Sequence, residues 1–254
     1  MRYIFAGNRD IAVWVLQDLI AAGFSPEMLW IPDEKTASHT DELRNLSKLP
    51  DSHIITGKKF LEQSNISEVN SIRPDYIFSI HYPYIIPKNI LVLPKYGFLN
   101  LHPSFLPFNK GWHTPTWAIQ QGTPAGATLH FMTEKLDMGD IIVQEKIQIE
   151  SGDTANSLYK KIKQLERTIF KNAIPDLSRF HLPSKVQLDE GSSHLKADLF
   201  NFKERKIELG RKYVAEELLK DLRAFTTNQD EEAMYFEKDG ERYYVQVKIF
   251  KDIV

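Results

Sequence analysis

The sequence has no cysteine, no long apolar run and no excess of charge of either sign. Without cysteine, disulfides, thiolate nucleophiles and thiolate metal ligands are excluded. No apolar run approaches the about 18–20 residues of a membrane span, and the start MRYIFAGNRD reaches a charge at once. The 32 Lys and Arg against 34 Asp and Glu leave a net charge of −2, which disfavours general attraction to nucleic acid or anionic lipid. We therefore expect a cytoplasmic protein that binds neither nucleic acid nor a membrane.

The composition that is present is typical of a globular protein. Of 254 residues, 42% are apolar and 26% charged, which is well away from the disordered range. This length allows one large domain, or one domain with a small appendage. A polar stretch containing Pro and Gly separates two parts of different character. We predict a main α/β domain over residues 1–180, a linker over 181–201 and a small C-terminal region over 202–254.

The first part of the chain alternates apolar runs with helical segments. A helix is predicted over 11–22, with Asp10 as its cap and Gly23 at its end, and another begins at Pro115, with Thr114 as its cap. The predicted strands are residues 2–7, 28–32, 73–82, 96–102, 127–133 and 140–150. This alternation favours an open, mostly parallel, Rossmann-like α/β sheet with helices on both faces.

The last part of the chain predicts an amphipathic helix and a hairpin. Asp153 is a candidate cap for a long helix that precedes the linker. After the linker, residues 213–225 have a helical apolar pattern, and MYFEK-DG-ERYYVQVKIF has the Asp-Gly turn of a two-residue hairpin. The predicted appendage is thus a small C-terminal helix and β-hairpin.

Polar side chains gather at the end of the predicted strand 96–102. Alternate strand residues share a face, so Asn100 and His102 point the same way, and Pro103 closes the strand. Open α/β sheets bind ligands at the carboxyl ends of their strands. An imidazole moves protons near neutral pH, and an amide stabilises a developing oxyanion, so the pair suits acyl-type transfer. Alone, the same pair is also typical of a hydrogen-bonded strand end.

Asp137, in the segment KLDMGD, is the second candidate. A carboxylate before a glycine often only begins a turn. Beside a histidine, however, it orients the imidazole and raises its basicity.

Two motifs in this arrangement resemble the folate-dependent formyltransferases. NLHPSFLP (100–107) is followed by a glycine-containing loop, a strand of the TP-x-G-x-T-x-H type and LD-x-GD-I-I (136–142). The resemblance covers residues 75–170 well. It implies Asn100, His102 and Asp137 as the catalytic trio and N10-formyltetrahydrofolate as the co-substrate, with no metal. It also implies a pterin site at the Asp137 loop and at the loop His81, Tyr82, Pro83, Tyr84, Ile85 and Ile86.

Within that family, the chain resembles the sugar N-formyltransferases best. The glycinamide ribonucleotide enzymes have a Gly-rich phosphate loop, whereas the first turn here is AGNRDIA. The methionyl-tRNA enzymes have a larger C-terminal barrel and a basic loop where this chain has NKGWHTP. The tail, LRAF followed by a tyrosine-rich hairpin, also resembles the sugar group.

The resemblance implies a dTDP-linked amino-dideoxyhexose as acceptor, for surface-polysaccharide (O-antigen) synthesis. We favour dTDP-4-amino-4,6-dideoxyglucose over a 3-amino sugar, with methionyl-tRNA as a further alternative. A decayed binding protein and an NAD-type domain are weaker rivals, because the trio is intact and G-x-G-x-x-G is missing. The residues expected to meet the substrate are Asn8, Arg9, Lys110, Gly111, Trp112, His113 and Thr114.

The aromatic hairpin strand YYVQVKIF predicts an oligomer. An exposed edge strand of this kind invites association, and pairing with a second copy would cover it. Members of the resembled family form such dimers, so we expect a homodimer.

Overall fold

A seven-stranded sheet dominates the computed structural model, which describes residues 1–188 and 190–252. Across the sheet the order is β3-β2-β1-β4-β5-β7-β8. The pairs from β3 to β5 are parallel, whereas β5 and β7 are antiparallel. The mostly parallel sheet predicted from the sequence is therefore confirmed. The strands, with the short β6, are β1 (Tyr3–Gly7), β2 (Met28–Ile31), β3 (Ile54–Thr56), β4 (Tyr76–Ile80), β5 (Gly97–His102), β6 (Lys110–Gly111), β7 (Ala125–Phe131) and β8 (Ile141–Ile147).

Helices cover both faces of the sheet, as predicted. Alternate residues of β1 divide between two apolar cores, Phe5 with Leu16 of the first helix and Ala6 with Val69 of the third. Because both faces are covered, β1 and β4 are buried along their whole length and are apolar or aromatic except for Ser79 of β4. The helices are α1 (Arg9–Ala21), α2 (Thr40–Ser47), α3 (Gln63–Ile72), α4 (Lys88–Leu91), α5 (Thr114–Gln121), α6 (Ala155–Ser178), α7 (Asp198–Asn201) and α8 (Ala215–Ala224).

The predicted helix caps were wrong by one or two residues. Asn8, not Asp10, precedes α1, and the Asp10 carboxylate accepts the adjacent Ile11 N–H instead. Thr114 is the first residue of α5, and its hydroxyl donates to the Pro103 carbonyl. At α6 the capping residue is Thr154 rather than Asp153, since Thr154 exchanges hydrogen bonds with Ser157.

The chain divides into two compact units. The first comprises Met1–His102, Ala127–Gln144 and Leu165–Leu188. The second comprises Pro103–Gly126, Glu145–Gln164 and the described residues from 190 onward. These boundaries differ from the predicted domains 1–180 and 202–254, which remain a prediction. Asp189 of the predicted linker, and residues 253 and 254, lie outside the described residues.

The second unit has its own apolar core and contains the predicted hairpin. Trp117, Leu158 and Phe225 are among the buried residues of this core. The hairpin strands are β10 (Met234–Lys238) and β11 (Glu241–Val245), and Asp239 and Gly240 between them have φ of 54° and 81°. Positive φ at both positions is the geometry that an Asp-Gly turn supplies. Within the predicted linker, β9 (Ser193–His194) pairs with β6.

Among the described residues, none of the helices is both long and apolar enough to cross a membrane.

Candidate active site

The first unit brings Asn100 and His102 to one face of β5, near its carboxyl end. The antiparallel partner β7 sets His130 opposite Asn100 and Thr128 opposite His102. Directly opposed residues of neighbouring strands share a face, so the four polar side chains form one patch. Because β1, β4 and β5 are parallel, this patch lies at the sheet edge where Asn8 and His81 follow their strands.

The loop between β7 and β8 carries Asp137 back to the same patch. Asp137 has φ of 51°, a left-handed conformation that aspartate tolerates better than most residues. Gly139 approaches the backbone so closely that any side chain there would collide with the Phe131 carbonyl. The Phe131 N–H donates to the Asp140 carbonyl at 3.0 Å, and Gln187 Nε2 donates to the Gly139 carbonyl at 2.9 Å. These contacts fix the loop.

Asp137 is the centre of the resulting cluster. Its Oδ2 lies 3.6 Å from His102 Nδ1, and its Oδ1 lies 3.4 Å from Asn100 Nδ2 and 3.7 Å from His130 Nε2. His102 and Asp137 are 6% and 8% exposed, and His130 is 1% exposed. Charge interactions are stronger in such poorly solvated surroundings than in water. The structure thus brings together all three residues of the predicted trio.

His130 is a member of this cluster that sequence reasoning did not assign. Its Nδ1 lies 2.8 Å from the Phe131 carbonyl and must carry the proton there, which leaves Nε2 as an acceptor. Burial, opposed by Asp137, lowers the pKa of His130 to about 4, so the ring is neutral at physiological pH. The alternation T-x-H, in the strand 127–133, was the signal that could have identified it.

The neutral His130 also orients the Asn100 amide. Asn100 Nδ2 lies 3.2 Å from His130 Nε2, and both His130 and Asp137 present acceptors to it. The amide nitrogen therefore faces inward and the amide oxygen outward. Donation to an oxyanion requires the amide to exchange one of these long contacts for the ligand.

The predicted pterin loop follows β4 in the same unit. The Tyr82 hydroxyl donates to the Gly57 carbonyl at 3.2 Å, and the Tyr84 hydroxyl accepts the Asp33 N–H at 3.1 Å. His81 Nε2 lies 2.8 Å from Glu166 Oε1. Ile86 is buried, Pro83 is half-buried, and Ile85 is 86% exposed. Tyr82 and Ile86 pack inward, which leaves Ile85, backbone groups and parts of Pro83 and Tyr84 as the surface of the loop.

Asn8 and Arg9 follow β1 at the same edge. Asn8 is buried, donates to the Thr36 carbonyl at 3.0 Å and accepts the Ser38 N–H at 2.9 Å. Its side chain therefore holds the loop after β2. Arg9 is exposed and has a left-handed φ of 70°.

The other predicted substrate residues belong to the second unit. Lys110 is buried and its Nζ donates to the Glu190 carbonyl at 3.0 Å. A side chain on Gly111 would collide with the His194 carbonyl on the paired strand. Trp112 is 37% exposed, with Lys196 Nζ 5.3 Å from its ring centre. His113 lies 3.7 Å from Glu232, and Thr114 is buried at the start of α5.

No group of three or more potential ligand residues is placed to hold a metal ion within residues 1–188 and 190–252. The prediction that the reaction uses no metal stays a prediction.

Comparison with known proteins finds formyl transferases among the matching families, relatives and structures. The formyl transferase family model matches residues 31–174, and a model for the N-formyltransferase dimerization C-terminal domain matches residues 201–251. A methionyl-tRNA formyltransferase of Geobacillus sp. (strain WCH70) is 30% identical over 200 residues, which is 76% of this chain and 63% of the relative. The chain thus spans less than two thirds of the length of that relative.

Solved structures of similar fold include two N-formyltransferases. A 4-N formyltransferase from Francisella tularensis has a TM-score of 0.82 at 23% identity, over 99% of this chain and 98% of its own. An N-formyltransferase from Helicobacter canadensis, in complex with folinic acid and dTDP-3-aminofucose, has a TM-score of 0.70 at 22% identity, over 94% of this chain and 84% of its own. At these identities the likeness establishes the fold.

Proposed function

The chain belongs to the formyl transferase family, and from that premise we propose that it transfers a formyl group from N10-formyltetrahydrofolate to a sugar amine. The proposed acceptor is a dTDP-linked amino-dideoxyhexose, and dTDP-4-amino-4,6-dideoxyglucose is the member we favour. The observation that carries the proposal is the cluster of Asn100, His102 and Asp137. It combines a proton carrier, a carboxylate and an amide at the edge where such sheets bind ligands.

The proposal gives each member of the cluster one task. The bound folate supplies an activated formyl group. His102 takes a proton from the attacking amine and delivers it to the departing folate nitrogen, so the acid and base steps balance. Asp137, beside His102 Nδ1, orients the imidazole and stabilises its charged form. Asn100 Nδ2 gives up its long contact with His130 or Asp137, donates to the formyl oxygen instead and stabilises the negative charge that develops there.

The loop 81–86 and the Asp137 loop are proposed to hold the pterin of the donor. Pterin edges present alternating donors and acceptors, which exposed backbone groups match well. Lys88, the first residue of α4, follows the loop 81–86. Its Nζ lies 2.7 Å from Oε1 of Glu134 in the Asp137 loop, so an exposed ion pair links the two segments. The loops therefore suit a flat, polar ligand that contacts both.

Asn8, Arg9 and the residues Lys110 to Thr114 are proposed to contact the nucleotide sugar. Arg9 is the exposed cation of this set in the first unit, and Trp112 is the exposed aromatic ring of the second. A cation suits the pyrophosphate, and an aromatic face suits the base or the apolar face of the sugar.

The C-terminal part of the chain supports the sugar rather than tRNA as acceptor. The chain spans nearly all of the Francisella structure, and a dimerization domain model matches its C-terminal region. The near-neutral charge of the chain likewise disfavours a large polyanion.

The preference for the 4-amino sugar rests on likeness to the 4-N enzyme. The TM-score is 0.82 for the Francisella 4-N formyltransferase and 0.70 for the Helicobacter enzyme bound to a 3-amino sugar. The 3-amino sugar is thus the second candidate within the same chemistry.

Acceptor competition tests this proposal. The enzyme and N10-formyltetrahydrofolate are incubated with an equimolar mixture of dTDP-4-amino-4,6-dideoxyglucose, its 3-amino isomer and methionyl-tRNA, and the formylated products are identified by mass. We expect formylation of the 4-amino sugar. Formylation of the 3-amino sugar alone would keep the reaction and change the regiochemistry, whereas formylation of tRNA alone would overturn the acceptor class.

A further inference from the structure

His81 and Glu166 form a buried pair in the first unit, 85 residues apart in the chain. His81 Nε2 lies 2.8 Å from Glu166 Oε1, and the two side chains are 7% and 0% exposed. The second carboxylate oxygen, Oε2, is buried and has no hydrogen-bond partner within the described residues. Replacing a buried pair of this kind by apolar residues is often neutral or stabilising. Stability alone is therefore a poor reason for this arrangement.

The backbone of His81 gives a second reason to examine the pair. His81 is the first residue after β4, and its φ of 53° is left-handed. This conformation costs free energy for residues other than glycine, although less for histidine than for most, and surrounding contacts help to hold His81 there. The bond from the imidazole to Glu166 of helix α6 supplies such a contact.

The left-handed turn sets the direction in which the following loop leaves the sheet. Beyond it, the Tyr82 and Tyr84 hydroxyls are bonded to Gly57 and Asp33, and Lys88 is paired with Glu134. These bonds fasten the sides and the far end of the loop, and the His81 pair fastens its beginning. Ile85, at 86% exposure, is the most exposed side chain of the loop, and Pro83 and Tyr84 are half-buried.

We propose that His81 and Glu166 are positioning residues that fix the course of loop 82–86 and thereby set the affinity for the formyl donor. His81 acts through the backbone it anchors, because its imidazole points to Glu166. This inference rests on the proposed function, in which the loop holds the pterin. It changes the role of His81 from a ligand contact to a support for the loop.

The neighbouring residue on α6 provides a matched control. Arg167 makes a two-pronged ion pair with Asp18 of α1, with Nε and Nη2 at 2.7 and 2.9 Å from the carboxylate oxygens. Arg167→Met thus removes a pair from the same helix and the same unit without touching the loop. Glu166→Gln keeps an oxygen that accepts the His81 Nε2–H, while Glu166→Ala removes it.

The experiment compares amide hydrogen exchange in residues 82–86 with steady-state kinetics for both substrates. We expect Glu166→Ala to speed exchange in the loop, and to raise the KM for N10-formyltetrahydrofolate, about tenfold each, with kcat and the sugar KM within about twofold. Glu166→Gln should rescue both quantities. Arg167→Met should lower the thermal midpoint and leave loop exchange and donor KM unchanged.

Equal loop exchange in Glu166→Ala, Arg167→Met and the wild type would overturn the positioning role. A rise in both KM values, or a fall in kcat alone, would also contradict it. If Glu166→Ala does not fold, His81→Gly tests the positioning role instead, because glycine relieves the left-handed strain but removes the imidazole that anchors the loop. Wild-type loop exchange in that variant would refute the inference. A wild-type enzyme that binds no folate would refute the proposed function. The exchange data would still show whether the His81–Glu166 pair fixes the loop.

Discussion

Asp137 is the residue on which the proposed chemistry depends most. Its carboxylate lies within 3.7 Å of both His102 and His130, in a site where little water screens the charge. Its left-handed backbone is an additional constraint, since a β-branched residue at this position would be strained. A buried carboxylate beside two imidazoles, at the sheet edge where ligands bind, indicates a functional rather than a structural role.

Asp137→Asn separates the charge of this residue from its backbone role. Asparagine tolerates the left-handed conformation, so we expect the variant to fold, with a thermal midpoint close to that of the wild type. Without the carboxylate, kcat should fall about 10²–10⁴-fold. Asp75→Asn, which neutralises a carboxylate bonded to the Arg2 backbone, is the control and should keep full activity. Equal kcat values in the two variants would exclude Asp137 from the mechanism.

The low pKa of His130 predicts that the protein becomes less stable as the pH falls. Its pKa is about 4 in the folded protein and about 6.5 when unfolded, so the unfolded chain binds more protons between these values. As pH falls from about 6.5 to about 4, the unfolding equilibrium should shift toward the unfolded state by up to about tenfold per pH unit from this residue. Urea midpoints between pH 7 and pH 4.5 should fall less in His130→Gln. If the urea midpoints of the wild type and of His130→Gln fall equally with pH, the low pKa of His130 is contradicted.

At the scale of single elements, the start of α6 shows how local chemistry fixes a boundary. Thr154 Oγ1 accepts the Ser157 N–H at 3.2 Å, and the Thr154 N–H donates to Ser157 Oγ at 3.0 Å. Together these bonds satisfy two groups at the helix end. Asp153 supports the same turn, because its carboxylate accepts from Lys161 Nζ at 2.8 Å.

Thr154→Ala should therefore destabilise the protein by about 1 kcal/mol, within the range for a lost helix cap. Thr154→Ser keeps the hydroxyl and should recover most of this loss. The free energy of unfolding in urea measures both. If the alanine and serine variants are equally stable, the hydroxyl does not cap α6.

The strands and helices of the first unit were largely predictable, whereas the capping residues of the helices and the place of His130 in the cluster were not. Apolar runs such as those of β1 and β4 identify buried strands directly. Asp10, Thr114 and Asp153 were wrong as caps because several capping residues stand side by side, and only three-dimensional contacts select one. The role of His130 depends on the antiparallel register of β5 and β7, which brings it opposite Asn100. No periodicity in either strand records that register.

Pairings between short strands that lie far apart in the chain could not be predicted from the sequence. β6 and β9 have two residues each and are separated by about eighty residues, so they carry no apolar pattern. β3, with three residues, was likewise not predicted. The trio was predicted through the resemblance of NLHPSFLP and LD-x-GD-I-I to the folate-dependent formyltransferases, and the structure places Asn100 and His102 within 3.6 Å of the Asp137 carboxylate.

For the whole molecule, we expect a homodimer formed through the C-terminal region. The matched domain model describes a dimerization domain, and Tyr243, Tyr244 and Phe250 are 42%, 40% and 75% exposed. Light scattering at micromolar concentration should give twice the chain mass. Phe250→Lys should weaken the dimer, while Val92→Lys, at a 68% exposed site outside the matched residues 201–251, should not. A monomeric wild type would exclude this assembly.

The measurement that tests the central claim most directly is the rate of formyl transfer to dTDP-4-amino-4,6-dideoxyglucose by the wild type and by His102→Ala. His53→Ala, an exposed histidine paired with Glu68 in the same unit, is the control. We expect formylated sugar from the wild type and from His53→Ala, and a rate about 10²–10⁴-fold lower from a folded His102→Ala. A near-normal rate in His102→Ala, or a wild type that formylates no amino sugar, would contradict it.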